Sequence, residues 1–253
     1  MEFSGKVVLV TGGGSGIGRA IAEAFVKGQA RVVINDVDAA AAEVATRIGA
    51  QFLKADLSDP QAVRDLAEAA LAAYGRVDIL VNNAGFQHVA PVETFPEEVW
   101  MKLIQVMLTA PFQLIRALVP AMKQAGWGRI VNISSLHGLV ASPFKAAYIS
   151  AKHGMLGLTK TVALEVAEAG ITVNAICPAY VRTPLVEKQI RAQAAIHGIS
   201  EDEVIDRIML EPAAIKRLVD PEEVADLTLF LSSNRARSMT GASYLMDLGW
   251  TAR

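Results

Sequence analysis

Short apolar, β-branched runs alternate with longer amphipathic stretches along the chain, and that alternation predicts a parallel sheet flanked by helices. Residues 6–11 open the pattern with a run of the kind buried on both faces of such a sheet. They lead into Gly12-Gly13-Gly14-Ser15-Gly16-Ile17-Gly18, after which residues 19–27 read as an amphipathic helix closed by Gly28. Further strands are predicted at 31–35, 51–55, 77–81, 128–134, 171–177 and 243–247. Helices are predicted over 60–74, over most of 96–123, from just after Pro143 to about Glu168, and from Asp220 onward. Ser58 with Gln61, Thr94 with Glu97, and Ser200 with Glu203 have capping-box spacing. The stretch Pro178-Ala179-Tyr180-Val181-Arg182-Thr183-Pro184 breaks regularity, and residues 185–197 and 201–210 then read as two short helices separated by Gly198. A helical pair inserted behind a strand's C-terminal end, at about 184–212, is expected to act as a lid. Strands alternating with helices throughout give a doubly wound parallel α/β sheet of seven strands with helices on both faces. No repeat or linker divides the 253 residues, so a single domain is expected.

Composition adds the setting. Hydrophobic residues make up 52% and charged residues 20%, the balance of a globular chain. A formal net charge of −2 gives no sign of nucleic acid or an anionic membrane as partner. No run reaches the roughly 18 apolar residues of a membrane span, and no leader pattern heads the chain, so a cytoplasmic location is expected. Cys177, the single cysteine, cannot form an internal disulfide and is expected to be a small buried apolar residue. No metal site is expected.

Several positions carry candidate chemistry. The glycine turn allows the backbone to approach a pyrophosphate, which would rest on the N–H groups and positive dipole end of the following helix. Asp36 ends the second strand about 20 residues on, where a carboxylate accepts hydrogen bonds from an adenosine ribose and repels a 2′-phosphate, which favours NAD over NADP. A helix-capping role competes for Asp36, although Asp38 is better placed as a cap. Asn82-Asn83-Ala84-Gly85 puts short side chains at the end of the fourth strand, where a ligand would cross the sheet edge. If the residues after Pro143 are helical, Lys145, Tyr148 and Lys152 fall at i, i+3 and i+7 on one face. A phenol is a weak base near neutrality, and a neighbouring cation favours its ionised form. Taken alone, Tyr148 beside Lys152 is an ordinary surface pair.

Together, Thr11-Gly12-x-x-x-Gly16-x-Gly18, Asn82-Asn83-Ala84-Gly85, Ser135 and Tyr148-x-x-x-Lys152 resemble the short-chain dehydrogenase/reductase family over essentially the whole chain. The resemblance implies a Rossmann-type fold, NAD as cofactor and a homotetramer with the long helices between subunits. It makes Tyr148 the general acid/base, has Ser135 steady the substrate oxygen, and has Lys152 lower the tyrosine pKa while binding the nicotinamide ribose. It puts Gly12, Ser15, Gly16, Ile17 and Gly18 at the pyrophosphate and Asp36 at the adenosine ribose. Asp56 and Leu57 come near the adenine, Asn83, Ala84 and Gly85 beside the ribose, and Pro178, Val181 and Thr183 near the nicotinamide.

Phe86-Gln87-His88, residues 136–142, residues 184–190 and Gly249-Trp250-Thr251-Ala252-Arg253 are similar to a narrower group, the bacterial D-3-hydroxybutyrate dehydrogenases. That resemblance implies a small anionic hydroxy-acid substrate, its carboxylate held by Gln87, His137, Lys145 and Gln189, with Tyr180 and Trp250 walling the pocket. Three departures stand out. Met107 occupies the position of the family's catalytic asparagine, Tyr180 that of a tryptophan, and Leu248 that of a glycine. A methionine cannot hold the water that would link Lys152 to solvent, so impaired proton relay is expected. Two other readings remain: a dehydrogenase for a different hydroxy acid or alcohol, and a dinucleotide-binding protein weakened in catalysis.

Overall fold

The computed structural model describes residues 2–252, so Arg253 of the terminal motif lies outside the described residues. Its strands are β1 Val7–Thr11, β2 Arg31–Asp36, β3 Gln51–Lys54, β4 Ile79–Asn82, β5 Gly128–Ile133, β6 Ile171–Pro178 and β7 Ser243–Met246. All pair in parallel, in the order β3-β2-β1-β4-β5-β6-β7. The helices are α1 Gly16–Lys27, α2 Ala41–Ile48, α3 Pro60–Tyr74, α4 Glu97–Ile104, α5 Ala110–Ala125, α6 Ala146–Val166, α7 Pro184–His197, α8 Glu201–Val204 and α9 Pro221–Ser232. The strand pleat divides the core. Val8, Val10, Val32 and Ile34 meet Ile21 and Phe25 of α1 and Val224 and Leu231 of α9 on one face. Leu9, Val33, Leu80 and Ile130 meet α3, α4, α5 and α6 on the other, through residues such as Val63, Leu103, Leu114 and Val162. Buried on both faces, these strands read as continuous apolar runs, which is why the pattern located them. The connection order reverses between β1 and β4, and a crevice opens there at the strands' C-terminal ends.

The structure differs from the sequence reading in local detail. A π turn over Gln105–Thr109 joins α4 to α5, making one helical run of 29 residues. By length and composition that run could cross a membrane, contrary to the expectation above, but its apolar side, including Leu103, Leu114 and Leu118, packs on the sheet. Helix α3 is capped by Asp59, whose carboxylate accepts from the Gln61 N–H, because the Ser58 hydroxyl is already donated to Asp56. Thr94 lies in its own short turn, hydrogen-bonded to the Pro91 carbonyl, and does not cap α4. The Ser200–Glu203 box forms as expected, and a second box, Asp220 with Glu223, opens α9.

Helices α7 and α8 have a small core of their own, built from Val186, Ile190, Val204, Met209, Leu210, Ala213 and Leu218. Leu248 touches both this cluster and the sheet's core. It holds a left-handed φ of 58°, and its carbonyl accepts from the N–H groups of Ala214 and Ile215 at 2.8 and 3.0 Å. A side chain in that costly conformation gives the inserted helices an apolar anchor that glycine would lack.

Candidate active site

Two cavities open at the crevice. The larger, of about 520 Å³, runs along the C-terminal ends of β1 to β5, and the smaller, of about 80 Å³, lies beyond β5 and β6 under α7. Tyr148 and Leu185 line both, so the phenol stands between the two spaces.

The larger cavity begins at the glycine turn. A Cβ at Gly18 would sit 2.1 Å from the Gly12 carbonyl oxygen, so only glycine lets α1 start this close beneath the turn. Gly12, Ser15, Gly16 and Ile17 face the cavity, whereas Gly18 packs below it. Asp36 closes one end, accepting from the N–H groups of Gly14 and Asp38 at 3.0 and 3.1 Å. Asp38 accepts in turn from the Ala40 N–H, closing the turn before α2, but the N-cap position falls on Ala40 and not on Asp38 as expected. Asp56 and Leu57 line the wall, and the Ser58 N–H and hydroxyl hold the Asp56 carboxyl below its usual range. Asn83, Ala84 and Gly85 line it too, but the Asn83 amide donates to the Thr11 and Gly12 carbonyls at 2.9 and 3.1 Å. That bond fixes the glycine turn rather than leaving the amide free for a ligand. Thr183 caps α7 and its methyl lies over Gly16. Pro178 and Val181 do not line either cavity: Pro178 is in the sheet and Val181 pairs with Val219. Among the lining residues given no role from the sequence are Val37, Lys102 and Ser134. Lys102 could have been found, since it stands one turn before Val106 on the helix leading to Met107. A glycine cradle that a side chain would fill, a helix N-terminus and a carboxylate at the end of β2 fit a dinucleotide.

Lys152 is buried, and its Nζ donates to the Ile133 carbonyl at 2.7 Å. Burial lowers its pKa to about 8. Its Nζ is 5.6 Å from the centre of the Tyr148 ring. Burial also pushes the Tyr148 phenol above its ordinary value, with the Ser135 hydroxyl pulling the other way and Tyr180 and Cys177 adding to the rise. The expected lowering by Lys152 is therefore not what governs the phenol in the protein alone. Cys177 is fully buried as expected, its thiol raised to about 11 chiefly by burial. Met107 is fully buried in the π turn, lines the large cavity and packs against Gly85.

The smaller cavity gathers Gln87, Ser135, His137, Lys145, Tyr180 and Gln189 around Tyr148. The Ser135 oxygen accepts from the His137 N–H at 3.1 Å, which leaves its proton free to donate. Lys145 is not helical as expected. Phe144, with a φ of 67°, turns the chain, and α6 starts at Ala146 with Lys145 at its N-cap, yet Lys145 and Tyr148 still share the cavity. Gln189 turns inward from α7, and the Gln87 side-chain oxygen is buried with no hydrogen-bond partner among the described residues. Trp250 does not line the cavity but backs Tyr180, ring centres 5.9 Å apart.

His137 bonds the Ser142 hydroxyl through Nε2 at 2.7 Å, and burial first, then the charges of Lys145 and His153, lowers its pKa to about 4. The unfolded chain, with histidine near 6.5, then binds more protons between about pH 4 and 6.5, so stability is lost as pH falls through that window, by about 2 kcal/mol at pH 5. His137→Asn should flatten the loss: its urea midpoint is expected to drop less than the parent's between pH 7 and pH 5, and an equal drop would refute this assignment.

Comparison with known proteins agrees with this geometry. A family model described as short chain dehydrogenase matches residues 6–194. The chain is 48% identical to a D-beta-hydroxybutyrate dehydrogenase of Rhizobium meliloti (strain 1021), covering 98% of this chain and 99% of that one. It is 46% identical to the D-beta-hydroxybutyrate dehydrogenase of Cupriavidus necator, over 99% of this chain and all of the relative. It is also 36% identical to a cyclohexanol dehydrogenase of an Acinetobacter species, over 100% and 97% of the two chains.

Proposed function

This chain belongs to the short-chain dehydrogenase family, and from that premise we propose that it oxidises D-3-hydroxybutyrate reversibly to acetoacetate with NAD as cofactor. The observation that carries the substrate is Lys145, a half-buried ammonium with no hydrogen bond or ion pair among the described residues, in one small cavity with Tyr148 and Ser135. An unpaired cation beside a candidate acid/base calls for an anion a few ångströms from the reacting hydroxyl. Gln87, with a buried oxygen unpartnered, and Gln189 add amide groups for the same carboxylate, and neutral His137 is a further hydrogen-bonding group. Asp36 supports NAD over NADP, since a second phosphate at the end of β2 would face its carboxylate.

In this reading Tyr148 accepts the substrate's hydroxyl proton, Ser135 donates to the same oxygen, and Lys152, charged below about pH 8, favours the ionised phenol. The large cavity, with Gly12, Ser15, Gly16, Ile17 and Asp36, would hold NAD, which would supply the acceptor for the hydride from C3. Met107 is expected to slow proton departure.

Lys145→Met is expected to lower kcat/KM for 3-hydroxybutyrate roughly 10- to 150-fold, the worth of a hydrogen bond to a charged group. The rate on 3-hydroxybutyramide should hardly change. If the parent enzyme turns over acid and amide equally, the reading shifts to a neutral-alcohol dehydrogenase.

A further inference from the structure

Lys145 poses a physical problem that its proposed role does not solve. It stands at the N-cap of α6, where the helix dipole is positive, and it is partly desolvated, so both field and burial disfavour an ammonium there. A carboxylate partner would hold the charge but also neutralise it, and among the described residues none is paired with it. What the structure does set against Lys145 is the face of Tyr180, with Nζ 5.7 Å from the ring centre. Trp250 braces the other partner of this contact, its ring tilted 54° to that of Tyr180.

We propose that Tyr180 is the positioning residue that makes the small cavity selective for anions, by holding the Lys145 ammonium against its ring face while leaving the charge available to substrate. A ring quadrupole attracts a cation without carrying a net charge, so it can steady Lys145 and still leave the cavity positive. The other polar side chains lining the small cavity, those of Gln87, Ser135, His137, Tyr148 and Gln189, are uncharged near neutral pH, so none offers the ammonium a counter-charge in place of substrate. The ring face, rather than the phenolic hydroxyl, is the working part.

This inference rests on the carboxylate reading of the cavity, and acid and amide substrates separate the two. Tyr180→Phe, Tyr180→Trp and Tyr180→Leu would each be assayed on 3-hydroxybutyrate and 3-hydroxybutyramide, with thermal unfolding to confirm that each variant is folded. Phe and Trp keep a ring face and should keep the parent's preference for the acid. Leu should reduce that preference roughly five- to tenfold, through a rise in KM for the acid that exceeds any change for the amide. An undiminished preference in the Leu variant overturns the proposal, as does a loss that falls equally on acid and amide, which would mean only a collapsed pocket. A loss in the Phe variant as large as in Leu overturns it by assigning the effect to the hydroxyl. A parent enzyme with no preference for the acid removes the carboxylate reading itself, a result distinct from all of these.

Discussion

Tyr148→Phe is expected to lower turnover roughly 10²- to 10⁴-fold, the contribution of a positioned general acid/base, while NAD affinity stays near that of the parent. The phenolic oxygen is the sole heavy atom removed, and the ring continues to fill the space between the two cavities. Phe cannot accept the substrate's proton, and Ser135 would be left with the substrate oxygen but no base. The direction of the phenol's shift sharpens the expectation. Burial raises Tyr148 in the protein alone, so its ionised form is scarce at neutral pH and its opposition comes from Ser135. Activity of the parent should therefore rise with pH on the alkaline side of neutrality, and the residual activity of the Phe variant should lose that dependence. A variant retaining more than a tenth of parental kcat, or the same pH profile, would show that another group moves the proton.

The positions of the chemistry were legible because each motif follows a strand that is apolar on both faces. Thr11, Asp36, Asn83 and Ser135 all come at or just after such a run, and a parallel sheet puts those points along one edge. What the side chains do there was less legible, because it depends on neighbours distant in the chain. Asn83 was placed correctly at the crevice, yet its amide goes to Thr11 and Gly12 some seventy residues earlier. Lys145 was assigned to a helical face from spacing, and the backbone turn at Phe144 removed it from the helix without removing it from the cavity. The capping boxes divided in the same way: Ser200 forms its own, whereas Ser58 is diverted to Asp56 and Thr94 to Pro91, competing hydrogen bonds that spacing cannot register. Gln189 reaches the site in the sequence only through the resemblance, because its place in the small cavity depends on the separate core that seats α7 through Val186 and Ile190.

Met107→Asn is expected to raise kcat by up to about 10²-fold and to lower stability at the same time, and the opposed signs make it diagnostic. Lys152 spends one of its three donors on the Ile133 carbonyl, leaving two for a ribose and for a route by which the proton taken up at Tyr148 can leave. Met107 lines the same cavity from the π turn, and its thioether is too weak an acceptor to hold a water there. An amide supplies both donor and acceptor for such a water. The same change shortens a fully buried side chain packed on Gly85 and places a polar group in the core, which should cost about 2 to 3 kcal/mol on unfolding. If the proton relay limits the parent, a solvent isotope effect on kcat should be large in the parent and smaller in the Asn variant. A folded variant that binds NAD normally and gains no turnover would mean that Lys152 reaches solvent by another path, and that methionine at 107 never impeded it.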